Sequence, residues 1–146
     1  MNQTKAINLL SHTDWPQITE LLDAENLPFE DIETAPVQFF GIKNSSELLA
    51  TGALEVYGNK AILRSVAVKK EFQGKGLGKQ ITRFLEKKAR EQGIDQLFLL
   101  TTTAPDYFRK LNYQPFERKA CPFEIQQSAE FKNLCPSTAV CLSKDL

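Results

Sequence analysis

The sequence contains no apolar run long enough to cross a bilayer, and Met1 to Leu10 has neither the basic start nor the apolar block of a secretion signal. The expected compartment is therefore the cytoplasm. Cysteine is scarce, with three residues in no Cys-x-x-Cys spacing, and there is a single histidine, His12. Reduced thiols and no metal centre are expected, with His12 on the surface. Net charge is absent too, since Lys+Arg and Asp+Glu both total 18. No field draws the chain toward nucleic acid or an anionic membrane. Two phosphate-binding signatures are also missing. There is no Walker loop ending in Gly-Lys-Ser/Thr, and no ribose-binding acid stands where a dinucleotide fingerprint needs one.

What is present suffices for one core. A chain of 146 residues with 42% hydrophobic residues reads as a single domain over 1–146. Its elements alternate between strand and helix, without repeats, low-complexity tracts or linkers. Strands are expected at 5–10, 38–43, 48–57, 60–68, 96–101, 113–117 and 138–143. Thr13 opens a helix whose apolar stripe is Ile18, Leu21 and Leu22, and a second helix runs from near Gly76 to Gly93. A short helix capped by Thr103 follows the fifth strand, and 122–134 reads as a last helix. The stretch 27–36, with two prolines and several acids, reads as a short helix and a loop of the kind that borders sites.

The most informative stretch is Val66-Ala67-Val68, which runs through Lys69-Lys70-Glu71-Phe72 into Gln73-Gly74-Lys75-Gly76-Leu77-Gly78-Lys79. Glycines let the backbone turn sharply and approach a ligand closely, and the helix that follows aims its unpaired N–H groups into the turn. Such a helix start favours phosphate.

The string Gln73-x-x-Gly76-x-Gly78 behind Ser65-Val66-Ala67-Val68 resembles the acetyl-CoA motif of the GNAT superfamily of N-acetyltransferases. The resemblance covers almost the whole chain. It implies an α/β fold, an α+β sandwich with a mixed, mostly antiparallel sheet of about six to seven strands flanked by helices. It also implies acetyl-CoA as a substrate. The pyrophosphate would rest on the backbone of Gln73, Gly74, Lys75, Gly76, Leu77, Gly78 and Lys79, and the pantetheine arm along a bulged, splayed strand at Val66, Ala67 and Val68.

Amine acetylation needs a neutral amine, donors for the oxyanion and a route for protonating the departing thiolate. If Gly58-Asn59 is a two-residue hairpin loop, Glu55 pairs with Ile62 and Ala53 with Arg64, so Glu55 and Arg64 share one face. Each interrupts an apolar strand. Glu55 is the candidate general base and Arg64 the candidate fork for a substrate carboxylate, and the alternative is that the two form an ion pair. Thr102 and Thr103, at the carboxyl end of the fifth strand, and Phe39 are candidate substrate contacts. Phe39 and Phe40 must face opposite sides of the sheet.

Many GNAT relatives carry a tyrosine as the thiolate's proton donor, at the position occupied here by Phe108. Tyr107 is the neighbouring candidate, about 100° round the helix, with water or no acid as the alternatives. A narrower resemblance, carried by Gly52-x-Leu54-Glu55, Leu63-Arg64-Ser65, Leu99-Leu100-Thr101-Thr102-Thr103-Ala104, Phe108 and Leu134-Cys135-Pro136-Ser137-x-Ala139-x-Cys141, is to the arsenic-resistance branch of these enzymes. It implies an amino-acid acceptor or an arsenic-bearing or phosphinothricin-like analogue. Other readings are a protein or peptide N-acetyltransferase and a non-catalytic acyl-CoA sensor. The protein is expected to act on small molecules, without nucleic acid or membrane, as a monomer or homodimer. Cys121, Cys135 and Cys141 read as inert thiols, against a trithiolate for As(III).

Overall fold

The computed structural model describes residues 6–146. The hairpins and helices form because apolar residues alternate along the strands and recur at helical spacing between them. The chain runs β1 (Asn8–Leu9), α1 (Trp15–Ala24), β2 (Val37–Asn44), β3 (Glu47–Tyr57), β4 (Lys60–Val68), α2 (Leu77–Glu91), β5 (Gln96–Thr101), α3 (Pro105–Lys110), β6 (Gln114–Pro115), α4 (Phe123–Gln127) and β7 (Val140–Asp145). The strands make one sheet in the order β1-β2-β3-β4-β5-β7-β6, antiparallel at every pairing but β4 with β5. The expected mixed α/β sheet of six to seven strands is therefore present.

The first expected strand begins at Lys5, outside the described residues, and within them only Asn8–Leu9 pairs with β2. The stretch 27–36 forms successive turns rather than a short helix, with Thr34 and Ala35 both donating to the Asp31 carbonyl. Thr101 rather than Thr103 serves α3, its hydroxyl accepting from the Ala104 amide at 3.0 Å.

The largest departure is at 122–134, where the helix breaks in two. Ser128 adopts an extended backbone, its hydroxyl donates to the Ile125 carbonyl at 2.7 Å, and the same oxygen accepts from the Phe131 amide at 3.3 Å. One buried serine thus ends α4 and opens a π-helical turn over Glu130–Leu134, closed by Cys135 N–H donating to Glu130 C=O at 2.9 Å.

Two faces of the sheet are packed. On one, Phe40, Leu49, Leu54, Leu63 and Leu99 meet Ile81 and Leu85 of α2 and Phe108 of α3. The other carries two apolar clusters, one with Phe39, Ala53 and Ala67 under α1, the second with Ile62 and Phe98 under Cys121, Ile125 and Phe131.

The β3–β4 hairpin has the register read from its Gly58-Asn59 loop, with Tyr57 opposite Lys60, Glu55 opposite Ile62 and Ala53 opposite Arg64. Thr51 then meets Ala67, so β4 carries one extra residue, and Ser65 absorbs it at a φ of 60°. That bulge reverses the side-chain alternation, turning Val66 and Val68 toward α2.

Gly52 lies where β3 meets α2. A Cβ there would collide with Ile81 Cγ2 and stand 2.9 Å from Leu85 Cδ1. Gly52→Ala is expected to lower stability by roughly 1–3 kcal/mol through overpacking, measured as a reduced midpoint at unchanged slope in denaturant.

Candidate active site

The parallel pairing of β4 with β5 ends after Lys60–Gln96, Ala61–Leu97 and Ile62–Phe98. Beyond Ile62 the two strands diverge, so the backbone of 63–68 on one lip and of 99–101 on the other faces a gap instead of a neighbour. That gap is part of a cavity of about 890 Å³, floored by β4 and bounded by the glycine turn, the β5 exit, α3 and the turn at Glu130. Unpaired strand edges offer amide donors and acceptors to a ligand that lies between them as an added strand.

At one end of the gap stands the glycine turn. Gly74 and Gly76 have φ of 80° and 84°, conformations that a side chain resists, and Gly76 begins α2. The first N–H groups of α2 lack helical acceptors there. Gln73 ties the turn to its strand, donating to the Val68 carbonyl and to Glu25, each at 2.9 Å. Val66, Ala67 and Val68 line the cavity, as do Gln73, Gly74, Gly76, Leu77, Gly78 and Lys79. Lys75 does not, and its ammonium lies 5.4 Å over the Phe72 ring.

At the inner end lies a charged cluster around Arg64, whose side chain is wholly buried. Asp31 takes a two-pronged bond, with Nη1 to Oδ2 at 2.7 Å and Nη2 to Oδ1 at 2.8 Å. Nη1 also donates to Glu55 Oε1 at 2.8 Å, and Nη2 reaches the Pro28 carbonyl at 3.4 Å. Nε donates to Ser65 Oγ at 3.2 Å, and Glu130 Oε2 lies 3.1 Å from the same nitrogen as an ion pair. All five guanidinium N–H groups therefore have protein partners. Burial alone would work against this charge, but the bonds to Asp31 and the field of Glu130 hold its pKa above the ordinary value.

Two sequence expectations are corrected by this geometry. Arg64 is not a free fork for a substrate carboxylate, because its donors are spent on the protein's own groups. Glu55 is not open to a substrate either. It is fully buried and outside the cavity wall, with Oε1 held by Arg64 and Oε2 by the Tyr57 hydroxyl. The ion pair weighed as the alternative is what forms. Phe39 is likewise a core residue, 4% exposed beneath α1, while Phe40 packs on the opposite face.

Of the carboxylates around Arg64, the one that lines the cavity is Glu130, which the sequence pattern hides within an expected helix; Glu25 lines it at the glycine-turn end. Burial, against the pull of Arg64, pushes its pKa up to about 7, and Glu55 and Asp31 add to the rise. Cys135 shares that wall, its thiol pushed up to about 12 by burial and by Glu130. The Cys121 and Cys141 sulfurs stand 3.8 Å apart in the apolar cluster behind, as free thiols. No group of three metal-ligating side chains occurs among the described residues.

Thr102 and Thr103 line the cavity at the β5 exit, both exposed. Tyr107 also lines it, but a Cβ on Gly78 would lie 2.8 Å from its hydroxyl, which places that group over the first turn of α2. Burial raises its pKa, with the Thr82 hydroxyl and Arg83 opposing. Tyr107 thus stands at the phosphate end of the gap rather than beside the Arg64 cluster, and Phe108 is buried at 8% exposure.

A splayed strand pair that ends on a glycine-rich helix start defines a cleft for a phosphate-bearing cofactor with an extended arm. The chain belongs to the acetyltransferase (GNAT) family, whose model matches residues 5–113. It is 28% identical over 104 residues to an uncharacterized N-acetyltransferase of Chlorobaculum tepidum, covering 70% of this chain and 64% of that protein. An amino-acid acetyltransferase of Pasteurella multocida is 25% identical over 141 residues, 90% of this chain but 32% of the relative. In structure the chain matches the N-acetylglutamate synthase of Neisseria gonorrhoeae, solved with coenzyme A and N-acetyl-glutamate. The TM-score is 0.81 at 18% identity, covering 100% of this chain and 36% of that one. A Mycobacterium tuberculosis protein solved with CoA gives 0.78 at 21% identity, with 97% and 99% covered. The chain therefore spans about two thirds of the first relative's length and about a third of the second's.

Gly76→Val is expected to weaken CoA binding about tenfold or more, by straining the turn and crowding the phosphates, as read by calorimetric titration. A second expectation concerns pH. The native Glu130 carboxyl holds a proton up to about pH 7, whereas the unfolded chain releases it near 4.5. The native state binds more protons across that window, so stability falls as pH rises through it, by up to roughly 3 kcal/mol. Glu130→Gln should flatten that slope in denaturation midpoints measured from pH 5 to 8.

Proposed function

We propose that this protein transfers the acetyl group of acetyl-CoA to the amine of a small molecule, an amino acid or one of its arsenic-bearing or phosphinothricin-like analogues. The observation that carries the reading is the gap between β4 and β5, which has unpaired backbone on both lips, a phosphate-favouring helix start at one end and an acid-rich cluster at the other. Three carboxylates face one guanidinium there, so the inner end attracts an ammonium group. The relatives named amino-acid acetyltransferase support an amino acid as the acceptor.

With Arg64 engaged, the hydroxyls of Thr102 and Thr103 are the groups at the β5 exit left to meet the acceptor's acidic end. Phe108 leaves the departing sulfur without a nearby tyrosine, and a thiolate is a good enough leaving group to depart unaided. Backbone amides on the lips of the gap supply the donors for the oxyanion.

The test is thiol release from acetyl-CoA against arsinothricin, phosphinothricin, glutamate, polyamines, aminoglycosides and N-terminal peptides. Turnover confined to the acidic amino acids and their analogues is the expected result. Turnover only with peptides would transfer the assignment to a protein acetyltransferase, and CoA binding with no release from any acceptor would replace the enzyme by a sensor.

A further inference from the structure

We propose that Glu130, carried on the π-helical turn, is the general base that takes the proton from the acceptor's ammonium group. The inference rests on the acetyltransferase reading above and deepens it.

Three carboxylates surround Arg64, and their hydrogen bonds separate them. Both Asp31 oxygens accept from the guanidinium. Both Glu55 oxygens accept as well, one from Arg64 and one from Tyr57, and Glu55 does not reach the cavity. Glu130 alone lines the cavity, and neither of its carboxyl oxygens accepts a hydrogen bond among the described residues, although Oε2 lies 3.1 Å from Arg64 Nε. A carboxylate whose oxygens accept no hydrogen bond keeps its lone pairs free for a substrate.

Charged groups from several elements act on Glu130. Arg64 of β4 and Arg118 favour its ionised form, while Glu55 of β3 and Asp31 of the 27–36 stretch oppose it. Cys135 on the same turn is neutral, its thiol pushed up to about 12, and Tyr57 reaches the cluster only through Glu55. The resulting pKa of about 7 suits a base that must be ionised at neutral pH yet strong enough to deprotonate an ammonium group.

The step balances as follows. The ammonium gives one proton to the Glu130 carboxylate, directly or through one water. The neutral nitrogen then bonds to the thioester carbonyl carbon, and the carbon–sulfur bond breaks. Sulfur leaves with the electron pair and takes the second nitrogen proton, giving the N-acetylated amine and free CoA thiol. The Glu130 carboxyl then releases its proton to solvent.

The experiment is the pH dependence of kcat/KM for the wild type, Glu130→Gln and Glu55→Gln, using the acceptor that the panel identifies. The wild type should lose activity below about pH 7, and Glu130→Gln should lose about a hundredfold or more in turnover together with that acid limb, at unchanged CoA affinity. Glu55→Gln should retain the limb. A Glu130→Gln enzyme that keeps its turnover, or whose residual activity keeps the limb, overturns the assignment. So does a wild-type profile flat down to pH 5.5, a result that needs no variant to fold. A wild type silent toward every acceptor overturns the acetyltransferase reading and takes this one with it, whereas the other failures remove Glu130 alone.

Discussion

A single buried guanidinium is the constraint to which much of the molecule answers. Arg64 sits in the middle of the sheet with no solvent to carry its charge, so the chain must bring acids to it from distant places. Glu55 arrives from the neighbouring strand, Asp31 from the turns after α1, and Glu130 from beyond α4. Glu55 comes on a strand already paired on both sides, whereas Asp31 and Glu130 add a charged tie to segments otherwise joined to the sheet by apolar contacts such as Ile32 and Phe131. The 27–36 stretch has no regular element of its own, and the segment around Glu130 is a broken helix. The cluster stands between the apolar group under α1 and the one under Ile125 and Phe131, and so links the two halves of that face.

The cleft follows from how little β4 and β5 share. Three paired positions hold them together, and the bulge at Ser65 then turns β4 so that Val66 and Val68 face α2. The same bulge puts Arg64 on one face and the floor of the cofactor gap on the other, within three residues. The unpaired backbone on the lips of the gap thus ends directly on the acid cluster.

Much of this was legible in the sequence, and the limits of that legibility have physical causes. The Gly58-Asn59 loop fixed the β3–β4 register to the residue, because a two-residue hairpin allows one pairing. The glycine turn was readable because glycine takes the positive φ of Gly74 and Gly76 without the strain a side chain adds. Glu55 and Arg64 were readable as a pair but not in their roles, since hydrogen-bond saturation depends on Asp31, 33 residues away from Arg64 along the chain. Phe39 and Phe40 alternate as any strand pair must, and alternation does not say which face has a pocket. Glu130 was missed because the loose apolar spacing of 122–134 resembles an ordinary helix. The one available signal was Ser128, a residue that bonds its own backbone and interrupts helices.

The place of β7 has a consequence for how the protein acquires its site. This strand lies between β5 and β6, so neither can complete its pairing until residues 140–145 have been brought back. Strands β2 to β4 form by short, local hairpins, whereas β5, β6 and the Glu130 turn wait on contacts between residues far apart in sequence. Arg64 therefore meets Glu55 through a local hairpin and Glu130 only through a long-range contact. Without β7 in place β5 has an unclosed edge, and without the Glu130 turn the guanidinium lacks its third acid, so the cluster is complete only when the whole sheet is.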